Sequence, residues 1–352
     1  MLAGLVVLLS ACGAPGGAAP AAGGAAPAAP PQATAVPSAA PAATRQPVAF
    51  KMIMGTISAS NAPVVVAQAA GFTAGQGLDV EVVAARSAAE AMAAVLSHDA
   101  PIGAMGGTAV INASAAGADV VAVALQQARL TQQLLVAPDV RTPDDLRGKR
   151  IGVADVGGST DLAAQYFLDK VGLRRGDDVV VSSLGSSNER IGGLQAGAVQ
   201  GAMLTEPFGA AARKAGFHVL FDLADEDYPL PSSSVATTRT YAQAQPEVVQ
   251  GFVTAIVDAI HYIKTDREGT MAIMGRFLQQ DDRDVLEAIY REASGSAMPE
   301  APYPSVQAFA NAIEQVAPRN AAVRELRAED LVDERYVRAL DDSGYIRSLY
   351  GR

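Results

Sequence analysis

Short β-forming runs alternate with helical stretches from residue 47 onward, and this alternation constrains the fold more than any other feature of the chain. It is typical of α/β proteins with mainly parallel strands. The predicted strands are Val48–Met54, Leu78–Ala84, Pro101–Ala104, Val120–Leu125, Arg150–Val153, Val179–Ser183, Gly201–Leu204 and His218–Asp222. The sequence therefore predicts a fold of the α/β class.

The clearest predicted helix begins at Pro246 and ends at Lys264. Apolar residues recur on one of its faces, which indicates that this face packs in a core. These residues are Val249, Val253, Ile256, Ile260 and Ile263. The roughly 300 residues after residue 46 exceed the usual size of one hydrophobic core, so we expect two lobes.

Composition argues against several classes of function. The net charge is −10 and Lys and Arg form no patch, which disfavours a nucleic-acid partner. The three histidines, His98, His218 and His261, lie far apart and outside any metal-ligand spacing. The sequence contains no phosphate-binding loop, nucleophile elbow or dinucleotide fingerprint. We expect no catalytic residue, no metal site and no cofactor.

The first twelve residues have the form of a lipoprotein export signal. The run from Met1 to Leu9 is wholly apolar, and small residues then precede Cys12, the one cysteine of the sequence. A membrane-spanning helix needs roughly 20 apolar residues, more than this run supplies. We expect residues 1–11 to be a signal peptide and Cys12 to be lipidated. A chance cysteine after an apolar run is the alternative.

Residues 12–46 are nearly all Ala, Pro and Gly after the cysteine, and such a segment cannot build a core. We expect it to be a tether that holds the folded part clear of a cell membrane, on the extracytoplasmic side. An export signal normally begins with positive charge, but Arg45 is the first basic residue. We therefore expect the true start codon to lie upstream of Met1.

Several short segments between residues 48 and 265 resemble a known family in their order and spacing. They are Pro63–Ala67, Gly71-Phe72, Gly77–Val83, Asp145–Val153, Gly157–Ser159, Gly172-Leu173, Leu194–Gly197, Thr205–Pro207 and Pro246–Val249. The family is that of the ABC-transporter solute-binding proteins for sulfonate, nitrate or taurine and for thiamine-pyrimidine or riboflavin ligands.

The resemblance implies a two-lobed, periplasmic-binding-protein-like fold of type II. Two doubly wound, mainly parallel sheets would be joined by two crossing segments, expected near Leu134–Ala137 and Leu230–Ala236. The first lobe would comprise residues 47–136 and 232–352. The second would comprise residues 137–231.

The resemblance also implies a role. The chain would be a monomeric, lipid-anchored protein that captures a small molecule outside the membrane for the permease and ATPase subunits of an ABC importer. A surface sensor lipoprotein is the alternative. The family includes a thiamine-pyrimidine synthase, but that enzyme requires a cysteine-rich stretch and an active histidine, and no cysteine follows Cys12.

In such a fold the ligand meets the loops at the carboxyl ends of the strands and the helix N-termini that follow, where backbone N–H groups are free to donate. Five segments qualify: Gly55–Asn61, Met105–Thr108, Gly157–Thr160, Leu184–Asn188 and Thr205–Pro207. The residues expected to contact a ligand are Ser58, Asn61, Gly107, Thr108, Gly158, Ser159, Thr160, Ser187, Asn188 and Glu206. Ordinary helix capping, or an acid placed at a helix N-terminus, is the alternative interpretation of several of them.

Charge suggests the kind of ligand. None of the five segments contains Arg or Lys, whereas Asp155, Asp161 and Glu206 are all expected near the cleft. This balance favours a neutral or weakly charged ligand such as riboflavin or a thiamine-pyrimidine precursor. An anion, namely an alkanesulfonate, taurine or nitrate, is the alternative.

Overall fold

The structure is a computed structural model that describes residues 46–55 and 57–352. The predicted signal peptide, the predicted lipidation site Cys12 and all but the last residue of the predicted tether lie outside the described residues. The described residues form one compact unit. No helix in the described part of the chain is both long enough and apolar enough to cross a membrane.

The strands are β1 (Val48–Met54), β2 (Leu78–Ala84), β3 (Ile102–Met105), β4 (Val120–Arg129), β5 (Gln133–Val136), β6 (Lys149–Val153), β7 (Val179–Ser183), β8 (Gly201–Leu204), β9 (His218–Asp222) and β10 (Pro229–Thr238). The helices before β10 are α1 (Ala62–Ala69), α2 (Phe72–Gly75), α3 (Ala88–Leu96), α4 (Gly107–Ala115), α5 (Ser159–Val171), α6 (Ser187–Gln195) and α7 (Phe208–Lys214). After β10 follow α8 (Arg239–Ala244), α9 (Pro246–Thr265), α10 (Arg267–Leu278), α11 (Arg283–Ser294), α12 (Val306–Val316), α13 (Arg335–Asp342) and α14 (Tyr345–Leu349).

Two five-stranded sheets organise these elements. The first sheet has the order β2-β1-β3-β10-β4 and the second has the order β7-β6-β8-β5-β9. In each sheet four strands point the same way and one is reversed, since β10 is antiparallel to β3 and β4, and β5 is antiparallel to β8 and β9. The predicted two-sheeted α/β fold is confirmed. Each reversed strand is the one by which the chain enters its sheet from the other.

The chain passes between the sheets twice. It leaves the first sheet at the end of β4 and enters the second at Gln133, and it returns from the end of β9 to Pro229. Most of each predicted crossing segment therefore lies in the strand that follows a passage, and the passages themselves are residues 130–132 and 223–228. The lobe limits given by the resemblance stay a prediction.

Helix α9 supplies much of the core beside the first sheet. The five residues of its predicted apolar face are all fully buried, which confirms the interpretation of that pattern. The helix packs against α1 and α2, while α12 lies on β10 and also touches α5. The C-terminal helices thus pack on the first sheet, and α12 also contacts α5, a helix of the second sheet.

Candidate functional site

A polar cleft lies where the carboxyl ends of strands from both sheets face each other. It encloses about 690 Å³ of space, part of it open to solvent. First-sheet loops contribute Ser58 and Asn61, which are among the predicted residues. Loops of the second sheet contribute Gly158, Ser159, Thr160 and Ser187, which are also among the residues expected to contact a ligand. Six of the ten residues expected to contact a ligand therefore line this cleft, two from the first sheet and four from the second.

Two of the helices that begin at this cleft, α4 and α5, lack side-chain caps. Helix α4 follows Gly106 and helix α5 follows Gly158, and neither N-terminus receives a side-chain capping bond. Helix capping, the alternative interpretation of Thr108, Ser159 and Thr160, does not account for these side chains. Thr160 Oγ1 accepts from Ala154 N at 2.9 Å, and Ser159 Oγ lies 3.4 Å from Thr108 Oγ1. The first N–H groups of a helix have no partner within it, so both helices present donors to the cleft.

The loops of the two sheets touch directly across the cleft. Besides the contact between Thr108 and Ser159, Asn112 Nδ2 donates to Gly157 O at 3.1 Å, and Ala59 N donates to Glu206 O at 3.0 Å. These bonds join α4 to the loop before α5 and the loop after β1 to the loop after β8. The structure is thus in a closed arrangement.

Arg190 is the functional candidate that the sequence interpretation missed. It lies in the first turn of α6, lines the cleft and is only 3% exposed. Its Nη2 donates to Ser187 Oγ at 2.8 Å, whereas Nε and Nη1 have no hydrogen-bond partner among the described residues. Burial lowers the pKa of Arg190 to about 10, and attraction from Asp155 and Glu189 opposes that effect, so the group stays charged at neutral pH.

The premise that the cleft has no cation is therefore wrong. The candidate segment ended at Asn188, but one helical turn places residue 190 beside Ser187, as the bond between them shows. A basic residue one turn into a helix that begins at the carboxyl end of a strand is the signal that could have found it.

Glu206 is turned away from the cleft, contrary to the prediction. Its carboxylate accepts from Ala210 N at 2.8 Å and pairs with Arg213 at 2.5 Å, in a second cavity. The physical reason is that both carboxylate oxygens have partners there, because one accepts from a backbone N–H of the following helix α7 and the other pairs with the Arg213 guanidinium. Its neighbour Thr205 lines the cleft instead.

Of the two other carboxylates expected near the cleft, one lies on it and one is buried elsewhere. Asp161 is fully buried, pairs with Arg175 and Arg319, and accepts from Gly157 N at 2.9 Å. Of the three acids that favoured a neutral ligand, only Asp155 lines the cleft.

Three further predicted residues have their own explanations. A Cβ at Gly107 would overlap the ring of Pro231, so the absence of a side chain lets α4 approach β10 rather than a ligand approach the backbone. Thr108 is buried against Ser159 just behind the cleft wall. Asn188 is exposed on α6 and does not line the cleft.

The second cavity contains a carboxylate with an unusual pKa. Burial raises the pKa of Glu292 to about 8; the bonds it accepts from Glu206 N and Thr131 Oγ1 lower it, and the charges of Glu206 and Asp222 raise it further. Both bonds are 2.9 Å long. Glu292 thus connects α11 to the first passage and to the loop after β8.

Stability is expected to fall as the pH rises from about 4.5 to 8, because folded Glu292 keeps a proton that the unfolded chain releases near its ordinary value of 4.5. The contribution is at most about 1.4 kcal/mol per pH unit. Urea unfolding of the wild type and of Glu292→Gln at pH 5.5 and 7.5 measures it. The variant should show the shallower dependence, and Glu314→Gln, an exposed control, should behave as the wild type. Equal slopes for all three proteins would contradict the assignment.

Two mainly parallel sheets with their helices, connected by two passages and facing each other across a polar cleft, define the periplasmic-binding-protein fold. The chain belongs to the NMT1/THI5-like family, whose model matches residues 58–269.

Relatives and solved structures agree with this placement. The protein named "Putative binding protein YtlA" from Bacillus subtilis (strain 168) is 26% identical over 237 residues, which are 64% of this chain and 70% of that protein. The alkanesulfonate-binding protein SsuA from Xanthomonas axonopodis pv. citri, solved with MOPS, has a TM-score of 0.69 at 20% identity, covering 82% of this chain and 99% of its own. The periplasmic nitrate-binding protein NrtA from Synechocystis PCC 6803 has a TM-score of 0.71 at 13% identity, covering 85% and 89%. At these identities the structures show the shared fold.

Proposed function

We propose that this chain is the extracytoplasmic solute-binding protein of an ABC importer and that its cleft takes a small solute with an anionic group. The observation that carries the ligand class is the buried guanidinium of Arg190, which has two nitrogens without a partner among the described residues. A buried N–H left unsatisfied costs on the order of 1–3 kcal/mol. An oxyanion that accepts from Arg190 removes this cost.

The chemistry of Arg190 suits sulfonate, nitrate or carboxylate groups. A guanidinium presents donors in a planar fork, which matches two oxygens of one anion and forms charge-assisted bonds. The N-termini of α4 and α5 add partial positive charge on the same cleft. SsuA and NrtA, which share the fold, are named for binding anions of this kind.

Riboflavin and thiamine-pyrimidine precursors are less well supported as ligands. They were favoured because no cation was expected in the cleft, and Arg190 removes that reason. In addition, the direct contact between Thr108 and Ser159 narrows the space available to a large ring system.

The proposed mechanism is capture followed by closure. The solute binds in an open form, and the two lobes then close because their contacts with the solute are better in the closed form. A permease recognises the closed form, and lipidated Cys12 with the tether keeps the protein, as a monomer, at the outer face of the membrane. No catalytic step is proposed, because the residues lining the cleft supply no nucleophile and base in hydrogen-bonded contact.

Growth of a deletion strain tests the import role. Loss of the gene should prevent growth on an alkanesulfonate as sole sulfur source or on nitrate as sole nitrogen source, with normal growth on sulfate and ammonium. The wild-type gene should restore growth. Undiminished uptake of every anion tested, with a change only in gene expression, would favour the sensor alternative.

Gly106→Ala should weaken binding by about tenfold, because a methyl group there obstructs closure. The added Cβ would overlap Ser159 Oγ and lie 3.2 Å from Ser159 Cβ, across the cleft. Gly192→Ala is the matched control, since a Cβ on that helical residue meets nothing within 4 Å. Titration calorimetry with the bound anion measures both variants, and equal affinities would contradict the closed arrangement as the binding form.

A further inference from the structure

A relay of two hydrogen bonds runs from the interior of the first sheet to the cleft. Gln126 Nε2 donates to Ser233 Oγ at 3.2 Å, and Ser233 Oγ donates to Asn61 Oδ1 at 2.7 Å. Ser233 and Asn61 line the cleft, whereas Gln126 lies behind them and is fully buried. The three residues belong to β4, to β10 and to the segment between β1 and α1, so the relay joins elements that are far apart in sequence.

A β-bulge places Gln126 at the start of this relay. Ser233 pairs with Gln127, and the next residue of β10, Ser234, pairs with Leu125, so Gln126 has no opposite residue on β10. A bulge takes its extra residue out of the regular alternation of a strand and so changes the direction of a side chain, and bulges are common next to functional sites. The direction of the Gln126 side chain thus follows from an irregularity in the sheet.

Gln126 is a poor residue for stability alone. Its Oε1 has no hydrogen-bond partner among the described residues, although the side chain is 0% exposed. A buried acceptor without a partner destabilises a fold, and an apolar side chain of similar shape would avoid that loss. The bond that its amide nitrogen makes to Ser233 therefore explains Gln126 better than a contribution to the core does.

The relay fixes which end of the Asn61 amide faces Ser233. The Gln126 nitrogen can only donate, so the single proton of the Ser233 hydroxyl is directed to Asn61 Oδ1. The amide nitrogen of Asn61 therefore lies on the edge away from Ser233. This nitrogen carries two protons, so one can donate to a solute while the other bonds within the protein.

We propose that Gln126 is a positioning residue of the binding site: through Ser233 it holds the Asn61 amide with its nitrogen, a hydrogen-bond donor, toward the solute. Without Gln126 the Ser233 hydroxyl can rotate, and Asn61 can then present its oxygen, which does not bind an anion. This inference rests on the proposed function, because a donor at this point suits the anionic group that Arg190 is proposed to bind.

Gln126→Met tests the role, because methionine is also unbranched and lacks the amide donor. Titration calorimetry on the full chain uses taurine, ethanesulfonate, longer alkanesulfonates and nitrate. Each anion that the wild type binds should bind about tenfold more weakly to the variant. Gln127→Met is the matched control, because Gln127 is equally buried and accepts from Thr131, which does not line the cleft. The control should keep the wild-type affinity to within about twofold.

A double variant separates positioning from packing. Ser233→Ala breaks the same relay, so adding Gln126→Met to it should lower the affinity by less than a further factor of about two. The Asn61 side-chain amide gives a second readout that needs no solute. Its NMR signals, assigned by their absence in Asn61→Ala, should shift in Gln126→Met and in Ser233→Ala and should stay in place in Gln127→Met.

The outcomes separate this inference from the proposed function. Wild-type affinity for the anions in Gln126→Met, additive losses in the double variant or unmoved Asn61 signals would overturn the positioning role and leave anion binding intact. Absence of binding for every anion tested would overturn both. The urea midpoint of Gln126→Met should equal or exceed that of the wild type, because the acceptor without a partner is removed. A lower midpoint would show that Gln126 serves the fold instead.

Discussion

Replacing Arg190 by methionine is expected to abolish anion binding and, at the same time, to stabilise the ligand-free protein. Affinity should fall on the order of 100-fold or more, because charge-assisted bonds to a buried guanidinium are lost. The free energy of unfolding should rise by about 1–3 kcal/mol, because the two buried nitrogens that lack partners are removed. A gain in stability together with a loss of binding is typical of a residue kept for function.

Titration calorimetry and urea unfolding measure the two effects. Arg150→Met is the matched control, because Arg150 is exposed on β6, in the sheet that α6 packs against, and its replacement removes the same charge. The control should keep the wild-type affinity to within about twofold. Arg190→Met with near wild-type affinity, or with a clear loss of stability, would show that Arg190 supports the fold rather than the solute.

Asp161→Ala is expected to cause the largest loss of stability, about 3–5 kcal/mol, because it leaves paired cations without their partner in a buried position. Asp161 is fully buried, lies 2.6 Å from Arg175 and 3.7 Å from Arg319, and also accepts from Gly157 N. Burial lowers the pKa of Arg319, which shows that this cation too is partly withdrawn from water.

The same variant should weaken solute binding. Asp161 accepts from Gly157 N and so holds the loop that presents Gly158 and Ser159 to the cleft. Arg319, which follows α12 in the chain, pairs with the Asp161 carboxylate. Asp169→Ala is the control on the same helix, since Asp169 is exposed and its carboxylate accepts, among the described residues, from the Gln165 side chain alone. Urea unfolding that differs by less than about 1 kcal/mol between the variant and the wild type would contradict the role of the buried cluster.

Most of the fold follows from local sequence patterns. The strands from β1 to β4 and from β6 to β9 were predicted to within a few residues, because each is an apolar run bounded by turn residues. Strands β5 and β10 were taken for crossing segments. The first has only four residues, and the second begins Pro229-Leu230-Pro231 and continues with three serines, a composition that disfavours strands. Their hydrogen bonds come from partners far away in sequence.

The sequence predicted which loops form the cleft but not which charged side chains line it. The loops at the strand ends were identified correctly, since the topology fixes where they meet. The direction of a side chain is a tertiary property, however, and so Glu206 and Asp161 were counted as cleft charges although each is satisfied elsewhere. Gln132 reaches the cleft from a passage between the sheets, which no spacing of motifs reveals. Arg190, by contrast, could have been found from its place one turn into α6.

Titration calorimetry of the full chain with small anions tests the central claim most directly. The ligands are taurine, ethanesulfonate, longer alkanesulfonates, β-alanine and nitrate, with riboflavin as the comparison. We predict one binding site for at least one anion-bearing solute, lost in Arg190→Met and kept in Arg150→Met. Binding of riboflavin with no heat from any anion, or equal affinity of the wild type and Arg190→Met, would contradict the claim.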